Sequence, residues 1–385
     1  MFGFEAYTPT RIFVGKNTLA MVGDQAKSLG TTALLVTGRR SMRDAGCTDT
    51  VKRSLQQAGV SVEVFDQVDS NPSRETVNTG GEIARGRKVD LVIGLGGGSA
   101  LDVAKGIAVI ARHGGDVWDY VGGKQITGPA LPLIAIPSTA GTGSEVTKYA
   151  VISDETAHLK EGFASDFIIP LVAIVDPEVM STTPPRLTAR AGGDALAQGV
   201  EAYLTKRANP FSDLLALESI RLCARHLPGV VRNGKDLDGR LAMGWASSLA
   251  GIAISYVDVV IGHHVSEAVG ALFKTHHGET AALLLPYAME FNAAQSEGRL
   301  AQIAAAMGEH VDGLPASAAA RKAVDRVRAL LREIGIPARL SDLGVTKAAV
   351  PSFMAILRNR MKDLQAGNPR EMTEQSITDF IEMAL

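Results

Sequence analysis

DLVIGLGGGSALDVAKG, Asp90 to Gly106, is the stretch that decides the fold. An apolar, β-branched run enters Gly94, Gly96, Gly97 and Gly98 and leaves through Ser99 and Asp102. The last two have the Ser-x-x-acid spacing of a capping box, so the pattern predicts a strand, a glycine turn and a helix opening at Ser99. At a helix N-terminus the backbone N–H groups and the dipole both point at whatever sits there, and a loop without side chains lets an anion approach. A diphosphate is the natural occupant. The spacing is neither GxGxxG nor GxxxxGK[ST], so it does not choose the nucleotide.

Working outward, short apolar runs alternate with helical stretches on both sides. ALLVT (Ala33 to Thr37), SVEVF (Ser61 to Phe65), DLVIG (Asp90 to Gly94), PLIAIP (Pro132 to Pro137) and VAIV (Val172 to Val175) read as strands. Several are continuous apolar runs, as buried parallel strands are. Ser41 to Ala58 and Ser73 to Arg85 read as helices opening on serine caps. The alternation predicts a doubly wound, mostly parallel, Rossmann-like sheet. Beyond Pro184-Pro185 strand signals almost vanish, and stretches such as Phe211 to Leu227 and Ala316 to Ile334 have helical spacing. The expected organisation is an α/β dinucleotide-binding domain over 1–184 and an all-α domain over 185–385.

Composition agrees with a globular enzyme of small molecules. The 385 residues are 46% hydrophobic, and the 40 glycines follow no three-residue period, which excludes disordered and collagen-like chains. With 39 Lys plus Arg against 41 Asp plus Glu there is no field to attract nucleic acid or an anionic membrane. Cys47 and Cys223 form no CxxC or disulfide framework, and the N-terminus MFGFEAYTPTRIFVG lacks the layout of a signal peptide, so a cytoplasmic location is expected. Leu241 to Val257 carries no charge and approaches the length of a membrane span, but its Ala, Gly and Ser content fits a buried helix better.

Two further clusters carry chemistry. PLIAIPSTAGTGSEVTKYAV offers the hydroxyls of Ser138, Thr139, Thr142 and Ser144 directly after a strand, where Gly141 and Gly143 permit close approach of a ribose or amide. In the helical half, AGGDALAQGVEAY sets Asp194 and Gln198 four apart on one helix face. GHHVSEAVGALFKTHHGET then supplies His263, His264, Glu267, His276 and His277, holding four of the chain's eight histidines. A carboxylate with imidazoles is a familiar donor set for a divalent catalytic ion.

Taken in order, GGGSALDVAK, PSTAGTGSEVT, Asp176-Pro177, GGDALAQGVEAY and the HHG before LLLPYAMEFN resemble the iron-containing (group III) alcohol dehydrogenase family. That family shares a superfamily with glycerol dehydrogenase and dehydroquinate synthase. The resemblance implies the dehydroquinate synthase-like fold, an active site in the cleft between two domains and a homo-oligomer, a dimer or larger. It implies that Gly96, Gly97, Gly98 and Ser99, with Asp102, hold the cofactor diphosphate. Asn71 would lie near it, with Ser138, Thr139, Thr142 and Lys160 lining the nucleotide pocket. The metal ligands, for iron or zinc, would be Asp194, the residue at 198, His263 and His277.

Three departures from the family pattern follow. Gln198 stands where the family usually has histidine, and an amide oxygen is a weaker, neutral donor. Glu267 stands where the family often has a further active-site histidine. With His277 it is taken as a catalytic residue that relays a proton, assists the metal or orients His263. Gly38 and Arg39, followed by Arg40, end the first strand where NAD-preferring members often have Asp. Guanidinium groups without a repelling acid suit a 2′-phosphate, so NADP(H) is expected over NAD(H). The implied reaction is reversible hydride transfer between nicotinamide and an alcohol or carbonyl substrate. A dehydroquinate-synthase-like lyase is the alternative with the same fold, and a non-catalytic nucleotide-binding protein with a degenerate metal site is the other.

Overall fold

The computed structural model describes residues 3–69, 71–154 and 159–385. Its chain packs into two units. The first comprises Tyr7–Thr139 and Gly143–Thr183. Its strands are β1 (Arg11–Val14), β2 (Thr32–Gly38), β3 (Ser61–Val68), β4 (Leu91–Gly96), β5 (Leu133–Pro137), β6 (Tyr149–Asp154), β7 (Leu159–Ala164) and β8 (Val172–Val175). Six form a parallel sheet in the order β1-β8-β5-β4-β2-β3, and β6 and β7 form a separate antiparallel hairpin.

Both faces of the inner strands β2, β4, β5 and β8 are buried, which is why they read as apolar runs, whereas the edge strands β1 and β3 are partly exposed. Leu34, Val36 and Val92 pack on one side against Val103, Ile107 and Ile110. Ala33, Leu35, Ile93 and Ile134 pack on the other against Val51 and Leu55 of α1 (Cys47–Gln57). The helix expected over Ser41 to Ala58 is two pieces, Ser41–Asp44 and α1, and Ser41 makes no capping bond. Ser73 does cap α2 (Arg74–Gly86), accepting from the Thr76 N–H.

The order of strands creates a switch point. From β2 the chain passes to β3 on one side, then returns to β4 on the other side of β2 and continues to β5. In such sheets ligands bind outside the carboxyl ends of the strands at the reversal. Gly38 ends β2 and Gly96 ends β4, so the two glycine signals flank it. The helix after β4, α3 (Gly98–His113), starts one residue before the sequence suggests and has Gly97 at its cap, without a side-chain capping bond. The Ser99–Asp102 capping box is therefore replaced: Asp102 accepts instead from the Ser144 hydroxyl at 2.6 Å and the Val151 N–H at 3.1 Å.

The second unit comprises Pro184–Leu385 with Ala140–Thr142 and residues 3–6. It is helical, with α4 (Pro185–Leu204), α5 (Pro210–Arg232), α6 (Leu237–Val257), α7 (Ile261–Phe273) and α8 (His277–Phe291) around one core that includes Leu196, Ile220, Leu249, Val265 and Leu284. The uncharged stretch at Leu241 to Val257 lies in α6, most of whose residues from Met243 to Ala253 are buried. Among the described residues no single helix is long and apolar enough to cross a membrane; α6 and α7 pass that test only as a pair bent by 101°.

Candidate metal centre and cofactor loop

Three helices of the second unit meet at the cluster the sequence singled out. Asp194 comes from the middle of α4, His263 from the first turn of α7, and His277 is the first residue of α8. One donor atom from each lies within 4.8 Å of the other two, the only such group among the described residues. Asp194 Oδ1 is 3.5 Å from His263 Nε2 and 3.6 Å from His277 Nε2. Gly278 makes the approach of α8 possible, since a Cβ there would stand 2.5 Å from the Arg190 carbonyl and 3.0 Å from Asp194 Cβ.

The donors fit a divalent ion. Asp194 Oδ1, Gln198 Oε1 and His263 Nε2 are buried and have no hydrogen-bond partner in the protein, which buried polar atoms seldom tolerate. Gln198 lies one turn beyond Asp194, and its Nε2 reaches Asp194 Oδ2 at 3.4 Å. A carboxylate and two imidazoles, with an amide oxygen beside them, is a set that iron(II) and zinc both accept.

The imidazoles are held from behind. His263 Nδ1 is 3.0 Å from Glu201 Oε1, and Glu201 is fully buried. The other oxygen of Glu201 accepts from the N–H groups of Val260 at 2.8 Å and His263 at 3.4 Å, closing the start of α7. Ser266 Oγ donates to the His263 carbonyl at 2.8 Å and stands 3.3 Å from His277 Nδ1. Having spent its one hydrogen, that hydroxyl accepts from Nδ1–H of His277, so in their neutral forms both histidines, with Nδ1 turned to Glu201 and Ser266, have Nε2 free to ligate an ion. Neither Glu201 nor Ser266 figured among the sequence candidates. The signal for Glu201 was present: at 194, 198 and 201 the three polar residues share one helix face.

Charge in the cluster follows from these contacts. Burial works to raise the Asp194 carboxyl, but His277 and His263 outweigh it and hold it below its ordinary value. Burial works to lower His263, and Glu201 with Asp194 hold it well above the ordinary histidine range. An ion must displace that proton, so metal affinity falls as the pH falls. Glu201→Gln is expected to weaken metal affinity 10- to 100-fold at high pH and to move the onset of this fall to lower pH. Competition with a fluorescent chelator across pH measures both effects, and a variant matching wild type at every pH refutes the assignment.

Glu267 lies one turn beyond His263 on α7 and is paired with Arg360 at 2.5 Å. Burial works against its charge, but Arg360, with His264, His277 and His263, keeps its carboxyl below the ordinary range. Orientation of His263, one of the roles open to Glu267 from the sequence, has Glu201 in place at the ring nitrogen.

In the first unit the glycine-loop candidates, with Ser138 and Thr139, lie at the switch point. Gly96 pairs with Pro137 across β4 and β5, the Ser138 N–H donates to the Gly96 carbonyl at 2.8 Å, and Thr139 Oγ1 stands 3.4 Å from where a Gly97 Cβ would be. Gly97, Gly98 and Ser99 form the start of α3 beside them. Gly38 is at the end of neighbouring β2, and Arg39 beyond it makes an exposed two-pronged pair with Asp69, at 2.8 and 3.0 Å. Asn71 is exposed just before α2, and Lys160 pairs with Ser153 in the hairpin, close enough to act on the Asp102 charge. Thr142 packs with the helical unit, where Gly141 lies against Ala191 of α4.

A parallel sheet with a glycine-rich loop at its switch point and a separate helical Asp/His/His cluster are parts that a metal-dependent, nicotinamide-linked dehydrogenase uses, and sequence comparison identifies the class. The model of the family described as iron-containing alcohol dehydrogenase matches residues 9–177, and that of its C-terminal region matches 188–385. The chain belongs to the iron-containing alcohol dehydrogenase family, oxidoreductases acting on CH–OH donors with a divalent metal and a nicotinamide cofactor. It is 39% identical to a 1,3-propanediol dehydrogenase of Citrobacter freundii, covering 99% of this chain and 98% of that one. It is 33% identical to an NAD-dependent methanol dehydrogenase of Bacillus methanolicus, over 98% and 99% of the two chains. A solved 1,3-propanediol oxidoreductase superposes with a TM-score of 0.94 at 37% identity, covering both chains completely.

Proposed function

We propose that Asp194, His263 and His277, with the Gln198 amide as a fourth donor, hold one iron or zinc ion, and that the protein reduces an aldehyde with NADP(H) and oxidises the alcohol in reverse. The observation that carries this reading is the buried cluster whose Asp194, Gln198 and His263 donor atoms have no protein partner. Such an ion supplies Lewis acidity toward a carbonyl or alkoxide oxygen, and the nicotinamide supplies the hydride. The residues do the rest. Glu201 and Ser266 fix the imidazole tautomers. Asp194 keeps its negative charge in a buried place because two imidazoles face it. His277 and Glu267 are the catalytic side chains next to the reacting centre, His277 as a ligand and Glu267 as a carboxylate held ionised by Arg360.

For the cofactor, Gly96, Gly97, Gly98 and Ser99 bind the diphosphate at the start of α3. Asp102, Asn71, Ser138, Thr139, Thr142 and Lys160 border the nucleotide, and Gly38 and Arg39 receive the adenosine 2′-phosphate. The Arg39–Asp69 pair favours the second reading, NAD(H), because it neutralises the guanidinium that the phosphate needs. The domain limits are 1–184 and 185–385, and the protein is a cytoplasmic homodimer, in keeping with its two free, buried cysteines.

The experiment is oxidation of NADPH and NADH against a panel of aldehydes and ketones, with iron-loaded, zinc-loaded and chelated protein in parallel. Turnover in the metal-loaded samples and its loss in chelator are expected, with kcat/KM for NADPH above that for NADH. Arg39→Ala should lower the NADPH value about tenfold and leave NADH nearly unchanged. Full activity in chelator refutes the metal reading, and equal losses with both cofactors refute the role of Arg39.

A further inference from the structure

We infer that the ion pair between Arg190 and Glu279 clamps α4 to the start of α8 and so sets His277 against Asp194, which makes an arginine outside the donor set a determinant of metal affinity. The inference rests on the metal reading of the cluster and names the positioning pair of that site.

His277 stands where a helix has least to hold it. It is the first residue of α8, and the cap residue before it, His276, makes no side-chain capping bond. Lys274, Thr275 and His276 alone separate α8 from α7, and Lys274 has a left-handed φ of +52°. Thr280 bonds back to Thr275 and His276, which closes the turn on itself but does not tie it to α4. A helix start without a side-chain cap keeps unsatisfied N–H groups and frays, so its position has to come from tertiary contacts.

Glu279, in that first turn, supplies one. It is buried, and its Oε2 accepts from Arg190 Nη2 at 2.7 Å. Arg186, one turn earlier on α4, comes only to 3.7 Å from the other oxygen and is 77% exposed, so Arg190 is the effective partner. Arg190 Nε is buried without a hydrogen bond in the protein, which leaves Glu279 as the acceptor that orients the guanidinium. Arg190 lies one turn before Asp194 on the same face of α4. The pair thus spans the crossing where Gly278 packs on the Arg190 backbone and Asp194 Oδ1 comes to 3.6 Å from His277 Nε2. The neighbouring contact, Gly193 on Ala282, joins small apolar surfaces and has no preferred direction.

Charge alone has the opposite consequence. Arg190 is a cation near a cation site, and its removal would strengthen metal binding by relieving repulsion. Loss of a clamp weakens binding instead, because a misplaced ligand no longer closes the donor set.

The test is competition for zinc with a fluorescent chelator in wild type, Arg190→Met, Arg190→Lys, His277→Ala and Arg190→Met/His277→Ala. Arg190→Met should lower zinc affinity about 10-fold or more, and Arg190→Lys, which keeps the charge, should stay within about 3-fold of wild type. With His277 already replaced by alanine, loss of Arg190 should change affinity by less than about 2-fold, since the ligand it acts through is gone. Arg328→Met is the control: it breaks the 2.7 Å pair to Glu290 near the other end of α8, and affinity should stay within about 2-fold. Cobalt(II) gives a spectroscopic reading, because the ion absorbs visible light more strongly with few ligands than when fully hydrated. The Arg190→Met band should weaken toward that of His277→Ala, and Arg190→Lys should restore it. If Arg190→Met does not fold, since it strands a buried carboxylate, Arg190→Met/Glu279→Gln leaves no charge unpaired and should show the same loss of affinity.

Unchanged or raised zinc affinity on loss of the pair, the same loss with and without His277, or an equal loss in Arg328→Met overturns the proposal. Wild type that binds neither zinc nor cobalt overturns the metal reading, and the clamp with it.

Discussion

Replacing Asp194 with asparagine empties the metal centre and removes the activity. Wild type purified without chelator should carry about one divalent ion per chain, and Asp194→Asn less than about a tenth of that, with kcat/KM for aldehyde reduction lower by about 1000-fold or more. The size of the effect follows from the donor set. Asp194 is the only carboxylate in the three-residue group, and the ligands it faces are neutral imidazoles when an ion is bound. Asparagine has almost the same shape but no charge, so the loss measures the charge and not the packing. Elemental analysis and initial rates on the same preparations make the comparison. A variant that keeps both its metal and its rate would show that the cluster is not the catalytic centre.

The second large effect lies at the other end of the chemistry. Gly96 has φ of +154°, and a Cβ built on it stands 2.7 Å from the Cβ of Ala100, inside the first turn of α3. Gly96→Ala must therefore strain the backbone and push aside the helix start whose N–H groups are proposed to bind the diphosphate. We expect the dissociation constant for NAD(P)H to rise about 30-fold or more, with unfolding destabilised by about 1 to 3 kcal/mol. Fluorescence titration of the reduced cofactor reads the first, and denaturant unfolding the second. Unchanged cofactor affinity would place the diphosphate elsewhere.

What could be read from the sequence was what local patterns carry. The strands at 33, 91, 133 and 172 are recognisable because both of their faces are covered, that at 61 because Val62, Val64 and Phe65 punctuate a half-exposed run, and the glycine run at 94–98 because a strand feeds it and a helix leaves it. β1 escaped notice because its four residues, RIFV, gain strand character from pairing with β8, about 160 residues later. The β6–β7 hairpin is half polar, with charges at Lys160 and Glu161, and has no turn signature at its ends. Asp102 looked like a cap, but Ser144 and Val151 compete for its carboxylate from a loop no local pattern could bring there.

The candidate site divides in the same way. Asp194, His263 and His277 stand out because histidines and carboxylates are concentrated in two short motifs, whose resemblance to the family gave the ligand roles. Arg360 did not stand out, since one arginine among many in a helical half says nothing until folding sets it against Glu267. The roles of Glu201 and Ser266 depend on which ring nitrogen faces inward, a matter of helix rotation that sequence spacing leaves open.

Glu201 joins two things that are usually separate. One of its oxygens steadies an imidazole, and the other ties down the backbone where α6 turns through 101° into α7, at Asp258 with its left-handed φ of +63°. The same carboxylate thus touches both a proposed metal ligand and the backbone of that bend. The Val257–Val260 corner, remote in sequence from every proposed ligand but His263, is therefore built around the side chain that stands behind that ligand.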